Sequence, residues 1–378
     1  MNTDKKINLL VIPDLFPKFE GDVQGIFILD YLKSVAVYCN TNVLFLRLSG
    51  KKGLHTDANN DATIHRYFVS SKKIPAYLKS VAYIRWFIKG YQIGKTFTDT
   101  EIIHAHGSIL SGTLSYLIAK KLKVPFIITE HQGPFTMTTD SFWKLRWTRF
   151  IMQKASAVLT VSNHLKEEIL TANIHPIKII VTHNPVDTNL FQLKTNTTIT
   201  NNILFVGRLD EFKGGLRSLK AFHKIMLSNP QHTFTMVGDG EEMQAIKNYI
   251  DANPALQAKV ALMGSLSKVA IAKQMQAADF FIFPSRHESF GLVIAEAMSC
   301  GLPVIVGNQT APKEYVHKDS GLLIQPNDID AMANAMQQMI NNLSNYNPTV
   351  IRQHITHNFS FDVFGKQLKA IYKLQGHC

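Results

Sequence analysis

Short apolar segments alternate with longer segments of helical periodicity along most of the chain. Several of the apolar segments are hydrophobic on both faces, which is typical of strands in a parallel sheet covered by helices. This alternation predicts repeated β-α-β units. The predicted strands lie at 7–12, 43–48, 102–104, 125–129 and 157–161 in the first half, and at 203–206, 233–237, 259–263, 280–283 and 303–306 in the second half.

The pattern is interrupted around residues 184–202, where a polar segment has no apolar periodicity. The alternation then begins again with the strand-like segment 203–206. We therefore expect two doubly wound α/β domains, over residues 1–188 and 189–360, and the length of 378 residues agrees with two domains. In such sheets ligands bind beyond the carboxyl ends of the strands, so we expect the functional residues directly after strands, in a cleft between the domains.

Positive charge is in excess and unevenly distributed. The chain has 40 Lys and Arg against 28 Asp and Glu, a net charge of +12. Residues 1–188 carry +9 of this excess and the remainder carries +3. Such an excess is typical of proteins that bind nucleic acid, an anionic membrane or an anionic substrate, and it also serves solubility alone.

Cysteine usage and the lengths of apolar runs restrict the compartment. Cys39, Cys300 and Cys378 are scattered without a C-x-x-C pair, which argues against a disulfide framework or a structural zinc site and fits a reducing cytoplasm. The apolar run at 7–12 is too short for a signal-peptide core, and no segment reaches the roughly 18 uncharged apolar residues of a spanning helix. We expect a cytoplasmic protein whose contact with a membrane, if it has one, is peripheral.

The first segment with recognisable chemistry follows the strand 203–206 and reads GRLDEFKGG, residues 207–215. A glycine at a strand end lets a ligand approach the backbone, and Arg208 and Lys213 can both reach an anion there. The predicted helix at about 215–228 would offer its N-terminal amides to the same anion. On this segment alone, a phosphate site and a solvated charged loop both remain open. A Walker loop and a G-x-G-x-x-G loop are absent, which disfavours a dehydrogenase.

The most informative segment reads FPSRHESFGLVIAEAM, residues 283–298. A polar loop leads through Gly291 into a helix whose first amides can bind an anion. Glu288 in the loop and Glu296 in the helix can bracket a bound ligand. Because a phosphate repels carboxylates, the expected partners of these two side chains are hydroxyl groups. Two hydroxyl-bearing rings that flank a diphosphate describe a nucleotide sugar.

Together, the segments FVGRLDEFKGG, VGDG, MGSLS and PSRHESFGLVIAEAMSCGLPVIVG resemble the retaining glycosyltransferases of family 4, the glycosyl transferases group 1. The resemblance implies the GT-B fold, two Rossmann-like domains that face each other across a cleft. Residues 1–188 would be the acceptor domain and residues 189–360 the nucleotide-sugar donor domain, with a last helix, here 361–378, that returns to the first domain. It also implies the roles of the donor-site residues. These are Gly207, Arg208, Lys213 and the amides of Phe290, Gly291 and Leu292 at the diphosphate, Glu288 at the donor-sugar hydroxyls, Glu296 at the ribose hydroxyls, and Gly264 near the base.

In the first domain the resemblance points to one histidine and to a glycine loop. After the strand 125–129, the family pattern places His131 near the donor sugar, with a purely structural loop histidine as the alternative. His106, at the end of another predicted strand, is a second candidate. The double glycine common in the family is missing, so Gly25 is the expected contact of the donor diphosphate and Gly21 the lesser one.

The implied reaction moves a sugar from a UDP- or GDP-sugar to a hydroxyl acceptor with retention of the anomeric configuration. The expected acceptor is a lipid-linked or polysaccharide precursor in cell-surface glycan synthesis. His131, Arg208, Lys213 and Glu288 are the expected catalytic residues, and neither a metal nor a cofactor is expected. Two alternatives remain open, a sugar-nucleotide epimerase on the same architecture and a non-catalytic protein that binds a sugar or phosphate.

Two basic, aromatic segments lie outside these motifs. Residues 62–98 contain no Asp or Glu, and residues 141–150 read SFWKLRWTRF. Basic amphipathic helices with aromatic residues suit an anionic membrane surface, and the alternative is that the aromatic side chains pack in the core. No recognition motif accompanies these segments, so nucleic-acid binding is not expected. The residues expected to face a membrane are Lys79, Arg85, Trp86, Lys89, Trp143 and Arg146.

Overall fold

The computed structural model describes residues 5–19, 24–49, 53–58, 61–70, 79–194 and 198–375, and the side chains at positions 49, 70, 79 and 138 lie outside this description. The chain divides into two compact units. Unit 1 comprises residues 1–185 and 361–378, and unit 2 comprises residues 186–360. Each unit has a sheet of mainly parallel strands with helices between them, so the predicted fold class is confirmed.

Unit 1 has an eight-stranded sheet in the described part of the chain, in the order β3-β4-β2-β1-β5-β6-β7-β8. All neighbouring strands are parallel except β3, which pairs antiparallel with β4 at one edge. The strands are β1 (Ile7–Pro13), β2 (Cys39–Ser49), β3 (Gly53–Ala58), β4 (Thr63–Ser70), β5 (Ile102–His106), β6 (Phe126–Glu130), β7 (Ala157–Thr160) and β8 (Ile179–Val181). The helices are α1 (Phe27–Val35), α2 (Lys79–Gly94), α3 (Leu110–Leu122), α4 (Phe135–Thr138), α5 (Phe142–Lys154) and α6 (Asn163–Thr171).

The described residues of unit 2 form a six-stranded parallel sheet in the order β11-β10-β9-β12-β13-β14, the doubly wound arrangement of dinucleotide-binding folds. The strands are β9 (Asn202–Val206), β10 (Thr233–Val237), β11 (Val260–Leu262), β12 (Phe280–Phe283), β13 (Val304–Gly307) and β14 (Gly321–Ile324). The helices are α7 (Gly215–Ile225), α8 (Met243–Asp251), α9 (Lys268–Ala277), α10 (Leu292–Ser299), α11 (Ile329–Asn341) and α12 (Pro348–Phe359), and three short 3₁₀ turns lie at Pro254–Leu256, Ala311–Glu314 and Leu343–Asn345.

The last helix, α13 (Phe361–Gln375), follows unit 2 in sequence but packs in unit 1 against α1. Its apolar face contributes Phe364, Leu368, Ile371 and Tyr372 to the core of unit 1. The Tyr372 hydroxyl also reaches a buried polar group, since it lies 2.7 Å from Nδ1 of His104 on β5. The helix therefore completes the core of unit 1, although the whole of unit 2 separates it in sequence from the other elements of that unit.

Each of the ten predicted strands overlaps an observed strand, with ends that differ by at most four residues, and the described sheets also contain four strands that the apolar pattern did not indicate. Five of the six residues of β3 are exposed, so this edge strand carries no apolar face. The strands β8 and β14 have only three and four residues, and β4 mixes polar and apolar positions. Among the described helices, none is both long enough and apolar enough to cross a membrane.

Candidate functional site

In unit 2 two helices begin at the ends of neighbouring strands without a capping side chain. Gly214 precedes α7 with φ +81°, and Gly291 precedes α10 with φ +82°. Neither helix start has a side chain that accepts a hydrogen bond from the first-turn N–H groups. Backbone N–H groups of this kind, at the positive end of the helix dipole, are suited to bind phosphate oxygens.

The segment after β9 and the loop before α10 meet through a charged pair. The Nζ atom of Lys213 lies 2.5 Å from Oε1 of Glu288. The same ammonium lies 5.7 Å from the ring centroid of Phe283, and the Lys213 N–H donates to Oδ1 of Asp210 over 2.9 Å. The structure thus brings together two of the expected catalytic side chains that are 75 residues apart in sequence.

Arg208 lies on the same segment and is more exposed than Lys213. Its side chain is 61% exposed, and Nε lies 3.2 Å from Oδ2 of Asp210. One terminal nitrogen lies 2.7 Å from Oε1 of Glu241, which follows β10. Exposed ion pairs contribute little to stability, about 0–1 kcal/mol. The guanidinium can therefore turn toward an anion at small cost.

Hydrogen bonds with Thr310 and Tyr315 fix the position of the loop before α10. The Glu288 N–H donates to Oγ1 of Thr310 over 3.0 Å. The Tyr315 hydroxyl donates to the backbone oxygens of Phe290 and Gly291, at 2.8 and 3.1 Å. Phe290 itself is buried, with its ring 5.3 Å from the ring of Tyr315. The amides of Phe290, Gly291 and Leu292 are therefore presented by a rigid loop.

Glu296 is buried on α10 and has a partner that the sequence did not reveal. Its residue exposure is 7%, and Oε1 lies 3.4 Å from Nζ of Lys268 at the start of α9. The Lys268 ammonium also lies 5.7 Å from the ring centroid of Phe191. Lys268 offers the opposite charge that a buried carboxylate requires. No local spacing links α9 to α10, so only the tertiary structure identifies this lysine.

The remaining glycines occupy different surroundings. Gly207 follows β9 and packs against the Phe283 ring. The Gly264 carbonyl accepts the N–H of Gly238, and the position of a Cβ at Gly264 is open space, as a ligand-facing residue requires. In unit 1 the Gly25 carbonyl accepts the N–H of Ile28 at the start of α1. Gly21 lies outside the described residues.

Three histidines of unit 1 form a stacked column at the ends of β5 and β6. The ring centroids of His104 and His106 are 4.4 Å apart, and those of His106 and His131 are 5.2 Å apart. Nδ1 of His106 lies 2.9 Å from Nε2 of His131. Behind them, Nδ1 of His104 lies 2.8 Å from the hydroxyl of Tyr31. The two candidate histidines, His106 and His131, are therefore hydrogen-bonded to each other.

The column is uncharged at neutral pH. Burial lowers the pKa of His131 to about 3, against a hydrogen bond with Asn184 that raises it. Burial also lowers the pKa of His104 and His106 well below the usual value, and the neighbouring imidazoles lower both further. His131 can therefore donate or accept a hydrogen bond, but it does not supply a positive charge. His104 was not among the expected residues, although its two-residue spacing from His106 places both on one face of a strand.

Three neighbouring helices of unit 1 form a basic and apolar surface, here called the α2–α3–α5 surface. The helix α3 contacts both α2 and α5, and none of the three contains Asp or Glu. Trp147 of α5 is joined to α3 by a hydrogen bond of 2.8 Å from Nε1 to Oγ1 of Thr113. The exposed apolar residues are Tyr83, Ile84, Ile88, Leu117, Phe142, Trp143 and Trp147. The exposed basic residues are Arg85, Lys89, Lys120, Lys121, Lys144 and Arg146.

One of the expected membrane-facing residues does not lie on this surface. Trp86 is only 3% exposed, so its prediction is wrong. Ala82, Trp86 and Gly90 recur at four-residue intervals on α2 and are all buried, which makes them the inner stripe of the helix. Trp143 is 75% exposed, and Arg85, Lys89 and Arg146 are exposed as well. The side chain of Lys79 lies outside the described part of the structure.

Two sequence families match the chain one after the other. The family described as Glycosyltransferase Family 4 matches residues 42–190, and the family described as Glycosyl transferases group 1 matches residues 188–349. The second match contains both segments that meet at Lys213 and Glu288. Together the two matches cover most of the chain.

Named relatives fall in the same class of protein. The UDP-Gal:alpha-D-GlcNAc-diphosphoundecaprenol alpha-1,3-galactosyltransferase of Escherichia coli is 31% identical over 255 residues, 62% of this chain and 65% of the relative. The GDP-mannose:cellobiosyl-diphosphopolyprenol alpha-mannosyltransferase of Xanthomonas oryzae pv. oryzae is 26% identical over 250 residues, 64% of this chain and 65% of the relative. The chain therefore matches slightly less than two thirds of the length of each.

Solved structures share the fold over nearly the whole chain. Sucrose-phosphate synthase from Thermosynechococcus elongatus superposes with a TM-score of 0.80 at 19% identity, over 97% of this chain and 98% of that one. Anabaena Alr3699/HepE in complex with UDP and glucose superposes with a TM-score of 0.73 at 18% identity, over 96% and 99%. The chain is thus a member of the glycosyl transferases group 1 and has the GT-B fold.

Proposed function

We propose that this protein transfers a sugar from a nucleoside diphosphate sugar to a hydroxyl group of a lipid-linked or polysaccharide acceptor, with retention of the anomeric configuration. The observation that carries the proposal is the contact of Lys213 with Glu288 beside two helix starts that lack side-chain caps. This arrangement offers a cation and backbone N–H groups to a diphosphate, with a carboxylate next to them for sugar hydroxyls. Membership in the glycosyltransferase family supports it.

In the proposed mechanism the protein stabilises the leaving nucleoside diphosphate. Negative charge on the diphosphate grows as the bond to the sugar breaks, and positioned cations and amides stabilise that charge. Lys213, Arg208 and the amides of Phe290, Gly291 and Leu292 would supply this stabilisation. Because the two basic side chains supply positive charge, we propose that turnover does not depend on a metal ion.

The two glutamates would orient the donor through its hydroxyl groups. Glu288 would accept hydrogen bonds from the donor sugar while its contact with Lys213 holds the carboxylate in place. Glu296 would accept hydrogen bonds from the ribose, and Lys268 offsets the cost of burying its charge. Gly264, with open space beside it, would lie next to the base. Gly25 in unit 1 is proposed to contact the diphosphate.

His131 would contact the donor sugar as a neutral imidazole. With a pKa of about 3 it holds no proton to give as an imidazolium at neutral pH. His106 would fix the orientation of His131 through the hydrogen bond between their rings. We therefore assign His131 a hydrogen-bonding role at the sugar rather than a role as a general acid.

Donor binding is tested by a thermal-shift panel with UDP, GDP and ADP, followed by UDP- and GDP-sugars. A nucleotide that binds the folded state raises the melting temperature by mass action. The two relatives act with UDP-Gal and GDP-mannose by name, so we expect UDP or GDP to give the larger shift. Arg208→Ala should abolish the shift, whereas Lys33→Ala, an exposed lysine of α1, should retain it. No shift with any nucleotide diphosphate would contradict the proposal.

We also propose that the α2–α3–α5 surface binds an anionic membrane, at the inner face of the cell membrane. Six exposed basic side chains lie among seven exposed apolar ones on three helices without an acidic residue. The basic residues suit anionic headgroups, and aromatic residues such as Trp143 suit the interface between headgroups and acyl chains. An acceptor carried on a membrane lipid would be reached from such a surface.

Arg146→Ala should weaken the binding of the protein to vesicles that contain anionic lipid. A basic residue near an anionic surface contributes about 1 kcal/mol, so the partition coefficient should fall by roughly fivefold. Co-sedimentation at low salt measures it, with Lys33→Ala as the matched control on another face of unit 1. Equal binding of the wild-type protein to neutral and anionic vesicles would show that this surface does not recognise anionic lipid.

A further inference from the structure

An arginine of unit 2 that is not among the proposed site residues joins three loops at the carboxyl ends of the sheet. Arg217 lies in the first turn of α7 and is partly buried. Its guanidinium donates to the backbone oxygens of Glu211, Pro284 and Pro326, at 2.6, 3.3 and 2.9 Å. These oxygens belong to the loops after β9, β12 and β14. One side chain therefore connects loops from three separate parts of the sequence.

The surroundings of Arg217 are built for a planar guanidinium. A Cβ atom at Gly214 would lie 2.7 Å from Nη2 of Arg217, so the glycine provides room for the guanidinium. Pro284 and Pro326 are buried residues, and buried carbonyl groups require a hydrogen-bond donor. The described partners of the guanidinium are all backbone oxygens. The side chain therefore acts here as a rigid set of donors rather than as the partner of a carboxylate.

Two of the three loops carry the side chains that meet at the donor site. The three backbone oxygens directly before Lys213 all accept hydrogen bonds. The first and the third accept backbone N–H groups, over 3.1 and 2.8 Å, and the middle one, of Glu211, accepts from Arg217. Arg217 also bonds to Pro284, and Glu288 lies four residues later on the same loop. The guanidinium thus ties the backbone that presents the lysine to the backbone that presents the glutamate.

We propose that Arg217 is a positioning residue of the donor site, which fixes the loops after β9 and β12 so that Lys213 and Glu288 are held for the donor. The inference rests on the proposed transferase function and adds to it a residue that does not itself touch the substrate. Groups that are already in place bind and stabilise an anion without a cost for ordering them. Without the hydrogen bonds of Arg217, both loops would have to be ordered when the diphosphate binds, so its affinity would fall.

Arg352 in α12 offers a matched control, because it makes the same kind of contacts elsewhere in unit 2. Its guanidinium donates to the backbone oxygens of Thr188, Phe191 and Ser299, at 2.8, 2.6 and 2.6 Å. Ser299 is the last residue of α10, at the opposite end of the helix from Gly291. Replacement of either arginine therefore removes hydrogen bonds to three carbonyl groups, but Arg352 does not bond to the loops after β9 and β12.

The test compares Arg217→Lys with Arg352→Lys in the full-length protein. Lysine keeps the positive charge but lacks the planar set of donors that joins three carbonyl groups. Both variants should have a lower melting temperature than the wild type. Arg217→Lys should also raise the Kd for UDP or GDP, whichever binds the wild type more tightly, by at least about tenfold, since a displacement of about 1 Å can cost about 100-fold. Arg352→Lys should keep the wild-type Kd, measured by calorimetry at a temperature at which both variants are folded.

Hydrogen exchange in the protein without nucleotide tests the loops themselves. Mass spectrometry of peptides that cover residues 207–216 and 284–292 should show faster exchange in Arg217→Lys than in the wild type, and wild-type rates in Arg352→Lys. Unchanged exchange in both segments of Arg217→Lys would overturn the inference. A wild-type Kd in Arg217→Lys would overturn it as well, because the charge of residue 217 would then be sufficient.

Arg217→Gln and Arg352→Gln replace the lysine variants if Arg217→Lys does not fold, with the same expected results. The outcomes also separate the inference from the proposed function. If the wild-type protein binds no nucleoside diphosphate, the proposed function is contradicted, and the exchange rates still decide whether Arg217 fixes the two loops. If the wild type binds the nucleotide and Arg217→Lys binds it equally well, the proposed function stands and the inference is wrong.

Discussion

Lys213→Ala should lower the rate of sugar transfer by about 10²- to 10³-fold, the effect that removal of one stabilising group at a developing anion typically has. The ammonium is the cation nearest to Glu288, at 2.5 Å, and its charge is proposed to stabilise the leaving diphosphate. Its removal also takes away the ion-pair partner of the partly buried Glu288, which is proposed to orient the donor sugar. Both effects act on the same step. The measurement is the initial rate at saturating donor and acceptor.

Lys224→Ala is the matched control for this variant. Lys224 is an exposed lysine of α7 that pairs with Asp330 at 2.5 Å. Because an exposed pair contributes about 0–1 kcal/mol to stability, the control should fold and retain its rate within roughly twofold. A rate near the wild-type value in Lys213→Ala would show that Lys213 does not stabilise the leaving diphosphate and would contradict the proposed mechanism.

Leu368→Ala should lower the free energy of unfolding of unit 1 by about 2–5 kcal/mol, as for other fully buried leucines. Leu368 is 0% exposed and lies in the core cluster between α13 and the sheet. The substitution removes buried methyl groups from α13, the helix of unit 1 that follows unit 2 in sequence. All three tryptophans of the chain, at positions 86, 143 and 147, lie in unit 1. Their fluorescence during urea unfolding therefore reports this unit selectively.

Leu374→Ala provides the comparison within the same helix. Leu374 is 62% exposed, so its truncation should change stability by no more than about 0.5 kcal/mol. Equal transition midpoints for the two variants would mean that α13 does not contribute to the core of unit 1 in solution. A lower midpoint for Leu368→Ala alone supports the described packing.

The donor-site segments could be predicted because their chemistry is local. Arg208 and Lys213 lie on one segment directly after β9, and Glu288 and Glu296 lie on either side of one helix start. Parallel strands end at the same edge of a sheet, so the two segments were expected to be neighbours. Lys268 could not be predicted, because its pairing with Glu296 depends on how α9 packs beside α10. The roles of these residues toward a donor stay predictions.

Unit 1 was harder to predict because its features combine distant segments. Trp86 was assigned to the surface with its basic neighbours, but the buried stripe of α2 contains it. The sequence did not indicate that α3 belongs to the basic surface, because its lysines lie in a segment with few aromatic residues. Only the packing of the helices places α3 between α2 and α5.

The proposed function is tested most directly by a transfer assay with UDP-galactose, UDP-glucose and GDP-mannose as donors and a diphosphopolyprenol-linked saccharide as acceptor. The measured quantities are the acceptor-dependent release of nucleoside diphosphate and the anomeric configuration of the product by NMR. We predict a glycosylated acceptor in which the transferred sugar keeps the configuration it had in the donor. A donor that binds without any glycosylated product, or a donor sugar that is epimerised while the acceptor stays unchanged, would contradict it.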